Sequence, residues 1–265
     1  MSPVHRRTIT QDDLDAFARL SGDDNPVHVD PGRAAQLTFG TTVAHGMLLA
    51  TVCDGALRRT VDWPWRAAAL TFPAPTPAGT EVAIHLTPGS DRAGLDVELP
   101  QGDSGCQGSA AATAAGLPEG ALDVPTAPGP DGPLGMLVGR VAQLERDLTT
   151  DDLARYATLA DVPAEQVQRV PLPMVAGLFS CLLGTQLPGP GTNYLKQALV
   201  LDALPPPGRL HARVEVCRVR PDRALVDLAT SCVDEHDEVI AHGRALVLAS
   251  DVDVHAIADR EADHG

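Results

Sequence analysis

An internal duplication constrains the fold of this chain more than any other feature of its sequence. The segment ITQDDLDAFARLSGD at 9–23 aligns without gaps with LTTDDLARYATLADV at 148–162, at a constant offset of 139 residues. Each copy begins with a threonine that can cap a helix and then places aspartates in the first turn, where the helix dipole favours negative charge. We therefore predict two related modules, each with a short amphipathic helix near its start.

Both copies continue with the same succession of patterns. In the first, the nearly apolar stretch AHGMLLATVCDGAL at 44–57 predicts a buried helix, and short segments separated by Pro, Gly and Asp between 66 and 115 predict antiparallel strands. In the second, the apolar helix falls at 170–184 and the strands fall between 192 and 249. The predicted fold class is α+β, with an antiparallel sheet wrapped around a long central helix in each module. Because neither sheet closes its own edge, we expect the modules to pair side by side.

The module boundaries are predicted from a change in composition. Residues 117–139 are rich in proline and glycine and show no periodicity, which is typical of a linker. This assigns an N-terminal module to 1–116, a C-terminal module to 140–250 and an acidic tail to 251–265.

Charge and cysteine content argue against several classes of function. The 35 acidic and 20 basic side chains give a formal net charge of −15, whereas nucleic-acid binding needs a basic surface. The five cysteines form no CxxC pair, which suits free thiols in a reducing compartment, and we expect no metal and no cofactor. No apolar run is long enough for a bilayer and no signal peptide is evident, so we predict a cytoplasmic protein without a membrane segment.

The candidate site lies in the loop after the first helix. Asp23, Asn25 and His28 fall within six residues, and the proline that follows Asn25 fixes the turn. A carboxylate, an amide and an imidazole at this spacing can share one water or one substrate proton. Further along, His45 and Gly46 stand at the start of the apolar helix. Turn formation and helix capping are the structural alternatives for these residues.

These motifs resemble those of the MaoC-like (R)-specific enoyl-CoA hydratases, a family with the hot-dog fold. The family motif is a D-x-N-P-x-H turn followed downstream by an H-G-M helix start, and this chain has DDNPVH at 23–28 and AHGM at 44–47. The resemblance covers nearly the whole chain and implies a double hot-dog. It also implies (R)-specific hydration of trans-2-enoyl thioesters or the reverse dehydration of 3-hydroxyacyl thioesters, carried by CoA or by an acyl carrier protein.

The resemblance further implies a role for each residue of the site. Asp23 and His28 would hold and activate the water, and Asn25 would orient the dyad or the water. The backbone N–H of Gly46 would donate to the thioester oxygen, where the helix dipole adds to the stabilisation. For His45 we favour a structural role, such as capping the helix or satisfying a backbone carbonyl, over the alternative that it modifies the site.

The chain departs from the family pattern in both modules. The second module keeps no dyad and has Pro-Leu-Pro at 171–173 where the helix-start motif would fall, so its expected role is to make room for the acyl chain or the carrier tail. In the first module, Asp54 stands where some family members have a serine, and Ser180 stands at the matching position of the second module. Asp54 is expected either to modify the electrostatics of the site or to be an ordinary polar residue at a helix edge.

Two other functions remain open on the sequence. A polyketide-tailoring dehydratase or cyclase would use the same dyad for another lyase step on a specialised carrier-bound substrate, and Asp54 would then reflect the changed substrate. A non-catalytic acyl-binding partner subunit would explain why one module lacks the dyad. Turnover of a simple enoyl-CoA separates these alternatives. A double hot-dog chain already mimics the usual dimer, so a homodimer of such chains is compatible with the sequence but not required by it.

Overall fold

The computed structural model describes residues 4–124, 138–250 and 252. Most of the predicted linker and almost all of the predicted acidic tail therefore lie outside the described residues. The helices are α1 (Gln11–Ser21), α2 (Pro26–Val29), α3 (Pro31–Ala34), α4 (Gly46–Arg58), α5 (Thr150–Ala160) and α6 (Leu172–Thr185). The strands are β1 (Val4–Ile9), β2 (Ala67–Thr71), β3 (Thr80–Pro88), β4 (Arg92–Glu98), β5 (Ser104–Ala111), β6 (Val141–Leu148), β7 (Asn193–Leu201), β8 (Gly208–Arg220), β9 (Leu225–Asp234) and β10 (Val239–Leu248).

The strands form one antiparallel sheet in the order β1-β3-β4-β5-β2-β7-β10-β9-β8-β6. The two halves of the chain meet where β2 pairs with β7, in a register that places Ala67 opposite Val200 and Thr71 opposite Lys196. Each half thus satisfies the backbone groups at an otherwise open edge of the other. The predicted α+β class and the predicted side-by-side pairing of the two halves are confirmed.

The repeated helix starts fold into the same local structure. In α1, the Thr10 side chain accepts a hydrogen bond from the N–H of Asp13, whose carboxylate accepts one from the N–H of Thr10. Thr149 and Asp152 form the same reciprocal pair at the start of α5. Such a capping box satisfies two backbone donors that have no partner inside the helix. The duplication seen in the sequence is therefore a duplication of structure.

Helices α4 and α6 form the centre of the molecule, where they pack against each other beneath the sheet. Every residue of α4 from Met47 to Leu57 is buried, as the nearly continuous apolar sequence predicts. At Gly55, a Cβ atom would lie 1.7 Å from the carbonyl oxygen of Ala160. A glycine at this position therefore allows α4 and α5 to come into backbone contact.

The sequence prediction missed β1 and β6, the two strands at the ends of the sheet. Each module begins with one of these strands, immediately before its capped helix. In β6 the side chains are exposed or half-buried until the last one, Leu148, so the strand has little of the apolar alternation that identifies strands in a sequence. Charged edge strands of this kind protect a sheet against pairing with other chains. None of the described helices has the length and apolar character needed to cross a membrane.

Candidate active site

The polar loop after α1 and the start of α4 line a cavity of about 240 Å³ between the two modules. The N-terminal module contributes Asp23, His28 and Gly46, and the C-terminal module contributes Ser180 and Gly184 from the last turns of α6. The site that the sequence located in the first module is therefore built from both.

Asp23 is the most buried acidic group of the cavity, with 1% of its surface exposed. Its Oδ2 accepts a hydrogen bond of 2.9 Å from the hydroxyl of Ser180, and its Oδ1 has no partner among the described residues. Burial raises the pKa of this carboxyl, while the nearby His28 and the Ser180 hydroxyl act in the opposite direction. A buried carboxyl with one unpaired oxygen and a raised pKa is well suited to hold a water and to exchange a proton with it.

His28 has a defined tautomer because of its contact with the backbone. Its Nδ1 lies 2.7 Å from the carbonyl oxygen of Val43, and since a carbonyl can only accept, Nδ1 carries the hydrogen. In the neutral ring Nε2 is then unprotonated and can act as a base. A ring nitrogen of His28 and a carboxylate oxygen of Asp23 lie within 4.8 Å of each other, so one water can contact both.

His45 lies beneath the loop, where it is fully buried. Its ring stacks on that of His28 with 3.6 Å between centroids, and its Nε2 donates to the carbonyl oxygen of Asp23 over 3.0 Å. Burial, reinforced by the charge of His28, lowers the pKa of His45 well below its ordinary value, so this ring is neutral. These contacts fit the structural role that we expected, because His45 supports the backbone of Asp23 and the ring of His28.

Asp23, His28 and His45 together offer three atoms of the kind that bind metals. The two rings, however, are stacked with 27° between their planes, and the lone pair of an imidazole nitrogen lies in the plane of its ring. Stacked rings direct these lone pairs side by side and not toward one point. The arrangement suits proton transfer better than metal binding.

Asn25 connects the loop to the other module. Its side-chain oxygen accepts from the N–H of Val27 over 3.3 Å, and its amide nitrogen donates to the carbonyl oxygen of Gly184 over 3.1 Å. The first bond caps α2, and the second attaches the loop to the end of α6. Asn25 therefore fixes the loop that carries Asp23 and His28.

Gly46 is the first residue of α4, so its N–H has no acceptor within the helix. It lines the cavity, and a Cβ atom at this position would lie 2.9 Å from the ring of Phe72. A larger residue would force the ring and the helix start apart. The backbone donor is thus available at the wall of the cavity, as an oxyanion-binding group requires.

Asp54 does not line this cavity, so the expectation that it modifies the electrostatics of the site has no direct contact behind it and stays a prediction. Its Oδ2 accepts hydrogen bonds of 2.8 Å from the Tyr156 hydroxyl and from Nε of Arg58. Burial raises the pKa of Tyr156 well above its ordinary value, which keeps this hydroxyl protonated as a donor. Two turns after Gly46, the helix has carried the side chain away from the polar loop and toward α5.

Ser180 and Gly184 are the site residues that sequence analysis missed. The sequence did place Ser180 at the position that matches Asp54, but it gave no sign that this serine contacts the loop of the opposite module. Both contacts join residues more than 150 positions apart, Ser180 with Asp23 and Gly184 with Asn25.

Comparison with known proteins gives a consistent result for the N-terminal module. A family model described as "MaoC like domain" matches residues 1–94. The 3-hydroxybutyryl-CoA dehydratase of Methylorubrum extorquens is 30% identical over 111 residues, which cover 39% of this chain and 71% of that protein. The (R)-specific enoyl-CoA hydratase of Aeromonas caviae is 38% identical over 74 residues, covering 27% of this chain and 55% of that protein.

The 3-hydroxyacyl-thioester dehydratase Z of Mycobacterium tuberculosis is 37% identical over 82 residues, covering 28% of this chain and 54% of that protein. Apart from the Methylorubrum protein, the chain thus spans little more than half the length of these curated relatives.

Solved structures extend the similarity to the whole described fold. A protein described as a MaoC-like dehydratase aligns over 94% of this chain and 98% of its own, with a TM-score of 0.71 and 16% identity. A conserved hypothetical protein of Mycobacterium tuberculosis, described as having a double hotdog fold, aligns over 93% of this chain and 96% of its own, with a TM-score of 0.68 and 14% identity. The predicted double hot-dog fold is confirmed.

Proposed function

This chain belongs to the MaoC-like dehydratase family, and from that premise we propose that it catalyses the (R)-specific hydration of a trans-2-enoyl thioester or the reverse dehydration of a 3-hydroxyacyl thioester. One observation carries the proposal: the buried Asp23 carboxyl, one oxygen of which has no partner among the described residues, lies beside the His28 ring, whose Nδ1 already contacts the backbone. The names of the relatives, which are hydratases and dehydratases, support the same class of reaction.

In the hydration direction, Asp23 and His28 hold one water between them. As the water oxygen attacks C3 of the substrate, its proton passes to the dyad, and the electrons of the C2–C3 double bond move toward the thioester oxygen. The dyad then returns a proton to C2, so that water is added overall and the dyad is regenerated. The raised pKa of Asp23 makes its carboxylate a stronger base than an exposed aspartate.

The negative charge that develops on the thioester oxygen needs a donor. In this proposal the donor is the N–H of Gly46, at the positive end of α4, where the backbone dipoles of the helix add to the hydrogen bond. The contact between Gly46 and the Phe72 ring supports this assignment, because only glycine keeps the backbone open at this point.

The substrate is proposed to be a compact acyl group on CoA. The cavity of about 240 Å³ is small beside the roughly 300–1,000 Å³ of typical ligand pockets, and two of the matched relatives are named for CoA substrates. An acyl carrier protein is the alternative carrier. All five cysteines are free thiols, which agrees with the proposed cytoplasmic location.

Hydration of crotonyl-CoA, followed as loss of the enoyl-thioester absorbance, tests the proposal. The wild type should form (R)-3-hydroxybutyryl-CoA, and Asp23→Asn and His28→Ala should each lower kcat/KM by about 100-fold or more. The matched control is His85→Ala, because His85 contacts Glu98 on the sheet and lies outside the cavity. Thermal unfolding of all four proteins checks that the losses are not caused by unfolding.

Two outcomes would count against the assignment. Retained activity in both dyad variants would remove the roles given to Asp23 and His28. An inactive wild type would favour a non-catalytic acyl-binding subunit or an enzyme for a specialised carrier-bound substrate, such as a tailoring dehydratase or cyclase. Asp54 contacts Tyr156 and Arg58 outside the cavity, so its contacts do not favour the specialised enzyme over the subunit.

A further inference from the structure

Two hydroxyls that line the cavity, those of Thr76 and Thr192, have no hydrogen-bond partner among the described residues and no role in the proposed reaction. Thr76 is the more buried of the two. Thr76 lines the cavity with 1% of its surface exposed, and its Oγ1 is buried with no hydrogen-bond partner among the described residues. Buried hydroxyls are paired in the large majority of cases, so an exception calls for an explanation.

The backbone around Thr76 is well anchored. Its carbonyl oxygen accepts a hydrogen bond of 2.8 Å from the N–H of Ala44, which fixes this segment against the residues that precede α4. The lack of a partner for the side chain is therefore a property of the folded site and does not come from a loose loop.

Gly105 lies directly against the Thr76 hydroxyl and leaves no side chain beside it. At Gly105, a Cβ atom would lie 2.4 Å from Oγ1 of Thr76 and 3.2 Å from the Leu49 side chain. Any other residue at 105 would fill the space in front of the hydroxyl. Apart from Thr76, this wall of the cavity is apolar, with Leu49, Ala74 and Pro75 as its side chains.

The position of Thr76 indicates which part of a substrate would reach it. Thr76, Leu49 and Gly105 are all buried, whereas the neighbouring Pro73 and Pro75 of the same lining are exposed, so this wall runs from the surface inward to Thr76. A CoA or carrier arm must extend to the solvent, whereas the tail of the acyl group extends inward. The unpaired hydroxyl therefore faces the acyl tail and not the carrier.

We propose that the acyl group of the substrate carries an oxygen substituent, a carbonyl or a hydroxyl beyond C3, that forms a hydrogen bond with Thr76. The inference rests on the proposed function, since it assumes an acyl thioester in this cavity. A plain alkyl tail would leave the hydroxyl buried and unpaired in the complex, whereas an oxygenated tail supplies the missing partner. Sites that hydrogen-bond a polar substrate group discriminate strongly against analogues that lack it.

Binding of unreactive, saturated thioesters tests the inference without relying on turnover. Isothermal titration calorimetry would compare hexanoyl-CoA with 4-oxohexanoyl-CoA, 5-oxohexanoyl-CoA and 6-hydroxyhexanoyl-CoA. The wild type should bind at least one oxygenated thioester about tenfold more tightly than hexanoyl-CoA. Thr76→Val, which has nearly the same shape, should lose this preference and keep its affinity for hexanoyl-CoA.

Thr51→Val is the matched control. Thr51 is also fully buried, but its hydroxyl donates to the carbonyl oxygen of Met47 over 2.9 Å, and it does not line the cavity. The control should retain the preference of the wild type and unfold at a lower temperature, because it loses a hydrogen bond. Thr76→Val should unfold no earlier than the wild type, because its hydroxyl has no partner to lose.

The binding results test the inference separately from the proposed function. Equal affinity of the wild type for all four thioesters, or a preference that survives in Thr76→Val, would overturn the inference. So would a fall in unfolding temperature for Thr76→Val as large as that of the control. Crotonyl-CoA turnover by the same wild-type preparation tests the proposed function separately, so that active protein without a binding preference refutes the inference alone.

Discussion

The hydrogen bond from Ser180 to Asp23 links the two modules at the centre of the site, and its removal has an effect whose size can be worked out. Both side chains are buried, and the Ser180 hydroxyl donates to Oδ2 of Asp23 over 2.9 Å. This bond favours the ionised carboxylate, so Ser180→Ala should raise the pKa of Asp23 beyond the increase already caused by burial.

The expected shift follows from the strength of a hydrogen bond to a charged group, which is about 1.5–3 kcal/mol. One pKa unit corresponds to about 1.36 kcal/mol of differential stabilisation. Ser180→Ala should therefore raise the pKa of Asp23 by about 1–2 units.

The assay is the pH dependence of kcat/KM for crotonyl-CoA hydration. Because the ionised form of Asp23 is the proposed base, activity falls as the pH drops below its pKa, and the acid limb of the profile should move upward by about 1–2 pH units in Ser180→Ala. Ser21→Ala is the matched control: Ser21 is also buried, but its hydroxyl accepts from the backbone N–H of Asp23 over 3.2 Å and does not contact the carboxyl.

The control should keep the acid limb of the wild type within about half a pH unit. An unmoved limb in Ser180→Ala would refute the reasoning, whatever happens to the maximal rate. An equal shift in both variants would show that the loop, and not the hydrogen bond to the carboxyl, sets the pKa of Asp23.

Three further predictions concern Asp23, Gly184 and the contact between Tyr156 and Asp54. Asp23→Asn should be more stable to urea than the wild type at pH 7, because the folded wild type binds the Asp23 proton more tightly than its unfolded chain does. The stability of the wild type therefore falls as the pH rises from the ordinary pKa of 3.8 through the raised one. Below this range the difference in stability between the two proteins should vanish. Gly184→Ala would place a Cβ 3.2 Å from Oδ1 of Asp23, where the water must bind, and should lower kcat by about tenfold or more with little change in unfolding temperature. Tyr156→Phe removes a 2.8 Å hydrogen bond to the buried Asp54 and should cost about 1–3 kcal/mol in urea unfolding, while an altered kcat/KM for crotonyl-CoA would show that Asp54 acts on the site after all.

The parts of the fold that follow from local chemistry could be predicted from the sequence. A capping box needs only a threonine and an acidic residue three positions later, and the structure forms one at Thr10 and one at Thr149. The buried helix α4 is equally local, because its sequence is apolar on nearly every face. The strands of the sheet interior also follow from alternation and turn residues. These signals lie within ten or so neighbouring residues and do not depend on the rest of the chain.

The parts that depend on distant contacts could not be predicted. Strands β1 and β6 are stabilised by pairing with β3 and β8, respectively, and the charged sequence of an edge strand shows little sign of this. In the site, the sequence identified the residues of the polar loop and the glycine of the helix start. It did not show which helix lies against the loop, because that depends on how α4 and α6 pack together in the folded protein.

The packing of α4 and α6 also explains why a chain with two modules forms one proposed site. Matching positions on the two helices face opposite modules, since Ser180 of α6 reaches the loop of the first module and Asp54 of α4 reaches α5 of the second. The second module offers Asp54 no imidazole, but it does offer the hydroxyl of Tyr156, and Arg58 of α4 adds a charge. A buried carboxylate is tolerated only when such partners compensate for its lost hydration. Here Tyr156 and Arg58 lie at the position that matches the proposed site of the first module. The first module carries the proposed dyad, but a hydrogen bond to its carboxylate and the acceptor for its asparagine come from the second, so neither module forms the complete site alone.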